Sequence, residues 1–179
     1  VYISDGASII AFRGSDGQRL WNYPLPGPMT PLLVSNGVVC CSHGHDDTGY
    51  FISAISAKDG HALWKYAIPS FRYPDMTLHD DIIYLFAYIG TFSPQPLGLR
   101  ALQITTGKLL WSFPKSMFIN GSVNVVRNGI AYLSSRDDGN VNDSIDALRI
   151  KDGSLVWSLK TVGLTSLTEA DGILYTGIQ

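Results

Sequence analysis

Apolar residues along this chain recur with a period of two. In Ile145-Asp-Ala-Leu-Arg-Ile, Ile145 and Ala147 share one face of an extended strand, and Lys151-Asp-Gly then ends it. Asp-Gly or Thr-Gly opens a hairpin at each such point, because Gly supplies the positive φ that tight hairpins require. A Leu- or Val-Trp strand returns from it. Upstream of each pair stand two more short apolar runs. The pattern predicts inner strands at Thr30–Val34 and Ser122–Val126 and second strands at Val38–Ser42, Ile82–Phe86 and Ile130–Ser134. No stretch carries the 3.6-residue period of an amphipathic helix.

This four-strand unit repeats. Trp21, Trp64, Trp111 and Trp157 close the segments Asp16-Gly-Gln-Arg-Leu-Trp, Asp59-Gly-His-Ala-Leu-Trp, Thr106-Gly-Lys-Leu-Leu-Trp and Asp152-Gly-Ser-Leu-Val-Trp, separated by 43, 47 and 46 residues. Ten residues before each Trp lies an alanine: Ala11, Ala54, Ala101 and Ala147. A second anchor recurs as Asn36-Gly-Val-Val, Asp80-Asp-Ile-Ile-Tyr, Asn128-Gly-Ile-Ala-Tyr and Asp171-Gly-Ile-Leu-Tyr. Cut at that anchor, a single segment spanning 1–179 divides into repeats 1–36, 37–80, 81–128, 129–171 and a partial 172–179. Four antiparallel strands per 43–47 residues predict an all-β fold, a β-propeller of about four blades. Radially packed sheets need a large apolar plug between neighbours and a small residue to receive it. Trp buries roughly 150–250 Å² and brings an N–H that must find an acceptor. The four tryptophans and four alanines are therefore read as blade-docking residues.

Composition narrows the partners. Thirteen basic and fifteen acidic residues leave a net charge of −2, which argues against a nucleic-acid surface. An uncharged stretch, Ile82 to Leu99, contains two prolines and is not a membrane span. Cys40 and Cys41 are too few for a disulfide scaffold. On consecutive strand positions they point to opposite faces and pack as small hydrophobes.

At the alanine, the Thr/Asp-Gly and the tryptophan, the chain resembles the pyrroloquinoline-quinone-like propeller repeat of the quinoprotein alcohol dehydrogenase-like family. That family's docking motif is Ala-x-Asp-x-x-Thr-Gly-x-x-x-Trp. The aspartate two after the alanine is replaced throughout, by Arg13, Ser56, Gln103 and Arg149. The resemblance implies two functions of different kinds. One is a non-catalytic scaffold or sensor module that binds a protein or ligand. The other is part of a quinone- and calcium-dependent alcohol or sugar dehydrogenase, in which adjacent cysteines can form a disulfide against the quinone. No calcium-ligand set can be picked out, so the scaffold is the leading expectation. The resemblance also implies a bacterial, extracytoplasmic setting: periplasmic, secreted or cell-surface.

Variation in length is confined to the connections between second and third strands, where binding on a rigid scaffold usually lives. His43-Gly-His45-Asp46-Asp47 groups two imidazoles and two carboxylates, a metal-like composition whose plainer reading is a solvated hairpin loop. Residues 136–143 contain Asp137, Asp138 and Asn140. From Asp138 they follow the Asp-x-Asn-x-Asn spacing of a calcium loop but lack its sixth-position Gly and twelfth-position Glu. Residues 87–97, with Tyr88, Phe92 and two prolines, form an apolar candidate contact for a protein partner. No motif selects a catalytic residue. Neither a leader nor an initiating Met opens the chain, which reads as a processed or excised product. The array begins in one second strand (Val1-Tyr2-Ile3-Ser4) and ends after another (Ile173 to Gly177). The expectation is an arc of a seven- or eight-bladed ring, completed by further blades or by a second propeller segment.

Overall fold

The structure, a computed structural model, describes residues 1–25, 27, 32–45, 49–68, 74–86, 98–114, 120–136 and 143–178. Among them there are strands and turns and no helix. A three-stranded sheet of β1 (Tyr2–Ser4), β2 (Ser8–Phe12) and β3 (Arg19–Pro24) comes first. Three four-stranded sheets follow. They are β4 (Leu33–Ser35), β5 (Val38–His45), β6 (Gly49–Ser56) and β7 (Ala62–Ile68); then β8 (Asp75–His79), β9 (Ile82–Phe86), β10 (Gly98–Gln103) and β11 (Leu109–Pro114); then β12 (Asn120–Arg127), β13 (Ile130–Arg136), β14 (Asp143–Arg149) and β15 (Leu155–Thr161). A two-stranded sheet of β16 (Leu164–Ala170) and β17 (Ile173–Ile178) ends the order. Every pairing is antiparallel and sequential, which gives the blades of a propeller arc.

Turn chemistry sets the register. Between first and second strands both central residues have positive φ: Asn36 and Gly37, Asp80 and Asp81, Asn128 and Gly129, Asp171 and Gly172. That is the type I′ hairpin, whose twist matches the flanking strands and which favours Asn, Asp and Gly. Between third and fourth strands, Gly17, Gly60, Gly107 and Gly153 take the positive φ.

The second, third and fourth blades each pack against a neighbour on both faces. Ile9, Ala11 and Trp21 of the first blade meet Val39, Cys41 and Ile55 of the second. Cys40, Ile52 and Ala54, on the other face of the second, meet Ile83, Leu85 and Leu102 of the third. Tyr84, Ala101 and Trp111 meet Ala131, Leu133 and Leu148 of the fourth, and Ile145 meets Leu164 and Leu167 of the fifth. Cys40 and Cys41 thus lie in two different cores, both as buried free thiols.

The alanines and tryptophans share one cross-strand row. Tyr2, Ala11 and Trp21 are register partners, as are Tyr84, Ala101 and Trp111, and Tyr132, Ala147 and Trp157. Over each of these alanines a Tyr and a Trp ring close, with centroids 5.7, 5.9 and 6.0 Å apart. A methyl group on the middle strand is the reason the flanking rings can meet. In the second blade Cys40 takes the place of the tyrosine opposite Ala54 and Trp64.

The receiving position is different from the one read in the sequence. The room for each plug is not the alanine of the neighbour but the glycine of its third-to-fourth turn. A Cβ built on Gly60 would lie 2.8 Å from the Trp21 ring, on Gly107 2.6 Å from Trp64, and on Gly153 2.6 Å from Trp111. The three indole N–H groups donate to the carbonyls of Ala57, Ile104 and Ile150, at 3.2, 2.9 and 2.6 Å. Trp157 departs from the expectation that all four dock. It is 37% exposed, and among the described residues no third-to-fourth turn follows β17 to receive it.

Three substitutions test this packing. Trp111→Ala removes the plug and is expected to cost about 3–5 kcal/mol in denaturant unfolding. Gly107→Ala is expected to cost about 1–3 kcal/mol by driving a methyl into Trp64. Gly129→Ala, at a similar φ but with open space around it, carries only the conformational part, about 1 kcal/mol. Equal losses at the two glycines would refute the glycine socket.

Burial pushes both thiols up to about 12 from an ordinary 9.0, and the Tyr84 phenol up to about 12 from 10.0. Folded-state values above the unfolded ones mean stability that is complete below about pH 9 and lost as pH rises toward about 12. The melting temperature is expected to fall across that window, and less steeply in a Cys40→Ala/Cys41→Ala variant. Thiol reagent at about pH 8 should label neither cysteine until the chain is unfolded.

Candidate functional site

Successive residues of a strand face opposite neighbours, so the slot just before each conserved-spacing alanine points at the preceding blade. In the second, third and fourth blades those slots hold Ser53, Arg100 and Asp146, and Ile10 stands at the same position in the first. From there toward the second-to-third connections the seams between blades turn polar, whereas at the tight-turn end they are apolar and plugged by tryptophan.

In the seam between first and second blades, His43 of β5 is 3% exposed. Its Nε2 and the Ser53 Oγ share a hydrogen bond of 2.7 Å, and its ring lies against Phe51 with centroids 5.8 Å apart. Lys65 places its ammonium 3.6 Å above the Phe51 ring centre. Burial, with a smaller push from Lys65, lowers the affinity of His43 for a proton and so favours the neutral ring. Its Nδ1 is buried and finds no partner among the described residues.

The next seam is bridged by Arg100 of β10, which donates to the Tyr66 hydroxyl of β7 at 2.8 Å. In the third seam the Ser135 and Ser144 hydroxyls share a hydrogen bond of 2.8 Å, and the Ser144 hydroxyl donates to Asp146 at 3.3 Å. All three are buried. Asp143, also buried, accepts the Leu164 N–H at 2.8 Å and so ties β14 to the start of β16. The chemistry these groups perform is cohesion. Each satisfies a donor or acceptor that the flanking blade would otherwise strand away from water.

Of the candidate binding-loop residues singled out in the sequence, His43 is the one whose side chain is described, and it turns into a seam. His45 is placed as the end of β5. Asp46, Asp47, Tyr88, Phe92, Asp137, Asp138 and Asn140 lie outside the described residues. Among the described residues no three of His, Cys, Asp and Glu come together as a metal would need. The quinone implied by the resemblance finds no fit at Cys40 and Cys41: the two thiols are unlinked and separated by the sheet itself. Ser53, Arg100 and Asp146 escaped the sequence reading. Their signal was present, as polar residues interrupting an apolar third strand at one fixed slot.

The aspartate missing from the family motif is explained at the turns. Arg13, in its place, donates to Asp16 at 2.8 Å, where the motif has Thr. In the second blade the Ser56 hydroxyl and His61 hold the Asp59 carboxyl down at about 2. In the fourth, Ser154 lowers the Asp152 carboxyl, with smaller contributions from Arg149 and Lys151. In these three blades the acidic partner stands three residues further along the chain and the turn is still cross-braced, whereas the third blade has Gln103 and Thr106 at the two positions.

With this geometry in view, the comparisons with known proteins are specific for fold. The chain is similar to the computationally designed Ika8 protein, with a TM-score of 0.64 at 15% identity over 99% of this chain and 54% of that one. It is similar to BamB from Moraxella catarrhalis, with a TM-score of 0.52 at 16% identity over 98% of this chain and 63% of that one. Quinohemoprotein alcohol dehydrogenase from Comamonas testosteroni gives 0.58 at 15% identity, over 98% of this chain and 36% of that one. The chain therefore spans between one half and two thirds of the first two. No curated protein sequence matches it. The model of one family, described as outer membrane protein assembly factor BamB, matches residues 1–112. That is well over half of the chain, and with the tryptophan-docked blades it establishes that the chain belongs to the BamB family of pyrroloquinoline-quinone-like repeat propellers.

Proposed function

We propose that this chain is a non-catalytic propeller segment that binds a protein as a scaffold or sensor module in an extracytoplasmic compartment of a bacterium. The observation that carries this reading is the use made of the polar side chains. His43, Arg100, Ser144 and Asp143 are engaged with strands of their own or the adjoining blade. The rigid part of the molecule is thus committed to its own cohesion, and recognition falls to the second-to-third connections. The family's description as an outer membrane assembly factor supports a protein partner and that compartment. No described helix is long and apolar enough to cross a membrane.

The competing reading, a quinone- and calcium-dependent dehydrogenase, rests on likeness of fold alone. Pyrroloquinoline quinone with calcium, added to the purified chain, is expected to leave its melting temperature within about one degree and the quinone spectrum unshifted. A dose-dependent rise in melting temperature with a shifted spectrum would overturn the scaffold. A photo-cross-linking residue at Tyr88 is expected to give a discrete protein adduct in cells, and one at Gln18, on the tight-turn side, none. Equal yields at the two positions would count against recognition by the variable connections.

A further inference from the structure

The seam between the second and third blades holds a charge that its own blades do not balance. The slot before the third-strand alanine is Ser53 in the second blade and Asp146 in the fourth, and both are buried. In the third blade it is Arg100, half-buried and the third residue of β10 after the connection 87–97. Its guanidinium donates to the Tyr66 hydroxyl at 2.8 Å, and among the described residues no carboxylate accepts from it. A guanidinium presents several N–H donors in one planar fork, and a single phenol oxygen engages only part of it. A cation held partly out of water in this way binds a carboxylate more strongly than one on open surface. Around Arg100 the seam opens outward, because sheets that radiate from a common axis stand furthest apart at their outer strands. One wall is Trp64 and Tyr66 of β7, which pack on the core shared with the third blade and remain partly exposed. The other is Ser112, register partner of Arg100, and Leu109, register partner of the buried Leu102; both are exposed, Leu109 by 40%. These two blades are packed on both faces, so the exposure belongs to the seam itself. β7 and β11 are outermost in their sheets, with one backbone edge unpaired among the described residues, and neither carries a carboxylate.

We propose that this groove binds an extended acidic segment of a partner protein, with a glutamate or aspartate carboxylate on the Arg100 guanidinium and apolar side chains against Trp64 and Leu109. The groove specifies that chemistry: an unbalanced cation at the floor, apolar walls, and a strand edge to which an extended chain can add. The seams on either side lack the combination. Ser53 is tied to His43, and Asp146 repels the carboxylate that Arg100 attracts. The inference rests on the reading of the chain as a protein-binding propeller and gives its partner a chemistry.

Backbone amide NMR of the protein, titrated with the peptide acetyl-Val-Glu-Val-Glu-Val-amide, is the test, with its glutamine analogue as the neutral counterpart. The glutamate peptide is expected to shift the amides of Tyr66, Ala67 and Ser112 and to leave in place that of Ser158, the register partner of Asp146. The glutamine peptide should bind at least tenfold more weakly, and raising salt from about 0.05 to about 0.5 M should weaken the glutamate peptide several-fold. Arg100→Gln should abolish the difference between the two peptides. Tyr66→Phe should keep it, because the seam loses a hydrogen bond while the guanidinium stays available to the carboxylate. An Arg100 that served cohesion alone would make these two variants alike. Should Arg100→Gln not fold, the two peptides on the unaltered protein and on Tyr66→Phe still decide. No shift at the groove, equal binding of the two peptides, or the same shifts from about 10 mM inorganic phosphate overturns the proposal. None of these outcomes bears on the cross-link at Tyr88, so failure here and failure of the protein-binding reading are told apart.

Discussion

The docking of one tryptophan per blade into the third-to-fourth turn of the next is the contact on which the arc depends. A sheet of four short strands cannot bury both faces alone, and its neighbours must come close enough to do so. The indole brings large apolar area, and the N–H it carries in with it is met by a main-chain carbonyl at the seam. That approach is possible because the receiving position is glycine, where a Cβ would lie 2.6 to 2.8 Å from atoms of the ring. The same glycine has the positive φ that the hairpin needs, so one residue satisfies the turn and the neighbour together.

The plug organises its own sheet as well. Trp21, Trp111 and Trp157 each face a tyrosine across an alanine, and the methyl sets how near the two rings approach. A larger residue there would part the rings. In the second blade a buried cysteine replaces the tyrosine, and its thiol joins the apolar core toward the third blade while the adjacent thiol serves the core toward the first. The pair that in a quinoprotein setting suggests redox chemistry is here divided by the geometry of a strand.

Polarity is graded along each seam. Apolar plugs hold the tight-turn end, and hydrogen bonds from His43, Arg100 and Ser144 hold the end from which the variable connections leave. Directional bonds tolerate less misalignment than apolar contact, so the two that cross between blades, Arg100 to Tyr66 and the Leu164 N–H to Asp143, fix relative orientation, while those of His43 and Ser144 brace their own blade. A stable platform with variable segments on one side is the arrangement that a protein-binding propeller requires.

The sequence by itself determined the period-two strands, the four-strand repeat, the recurring anchors at Asn36, Asp80, Asn128 and Asp171, the glycine hairpins before each tryptophan, and the tryptophans as the apolar plugs. Each of these rests on local chemistry: alternation, positive φ, and a single large residue at a fixed spacing. The receiving side of the contact was not legible, because Gly60, Gly107 and Gly153 already had a sufficient local reason to be glycine as turn residues. Ser53, Arg100 and Asp146 were hidden for a related reason. In an isolated sheet a polar residue opposite the core face is solvated, and alternation alone cannot tell that this second face is covered by another blade. Trp157 shows the same limit from the other direction: its sequence context matches that of Trp21, Trp64 and Trp111, and it differs in meeting no third-to-fourth turn among the described residues. Local periodicity reports which residues a strand turns to each side; what stands on that side is a property of the assembled blades, and tertiary structure alone decided it.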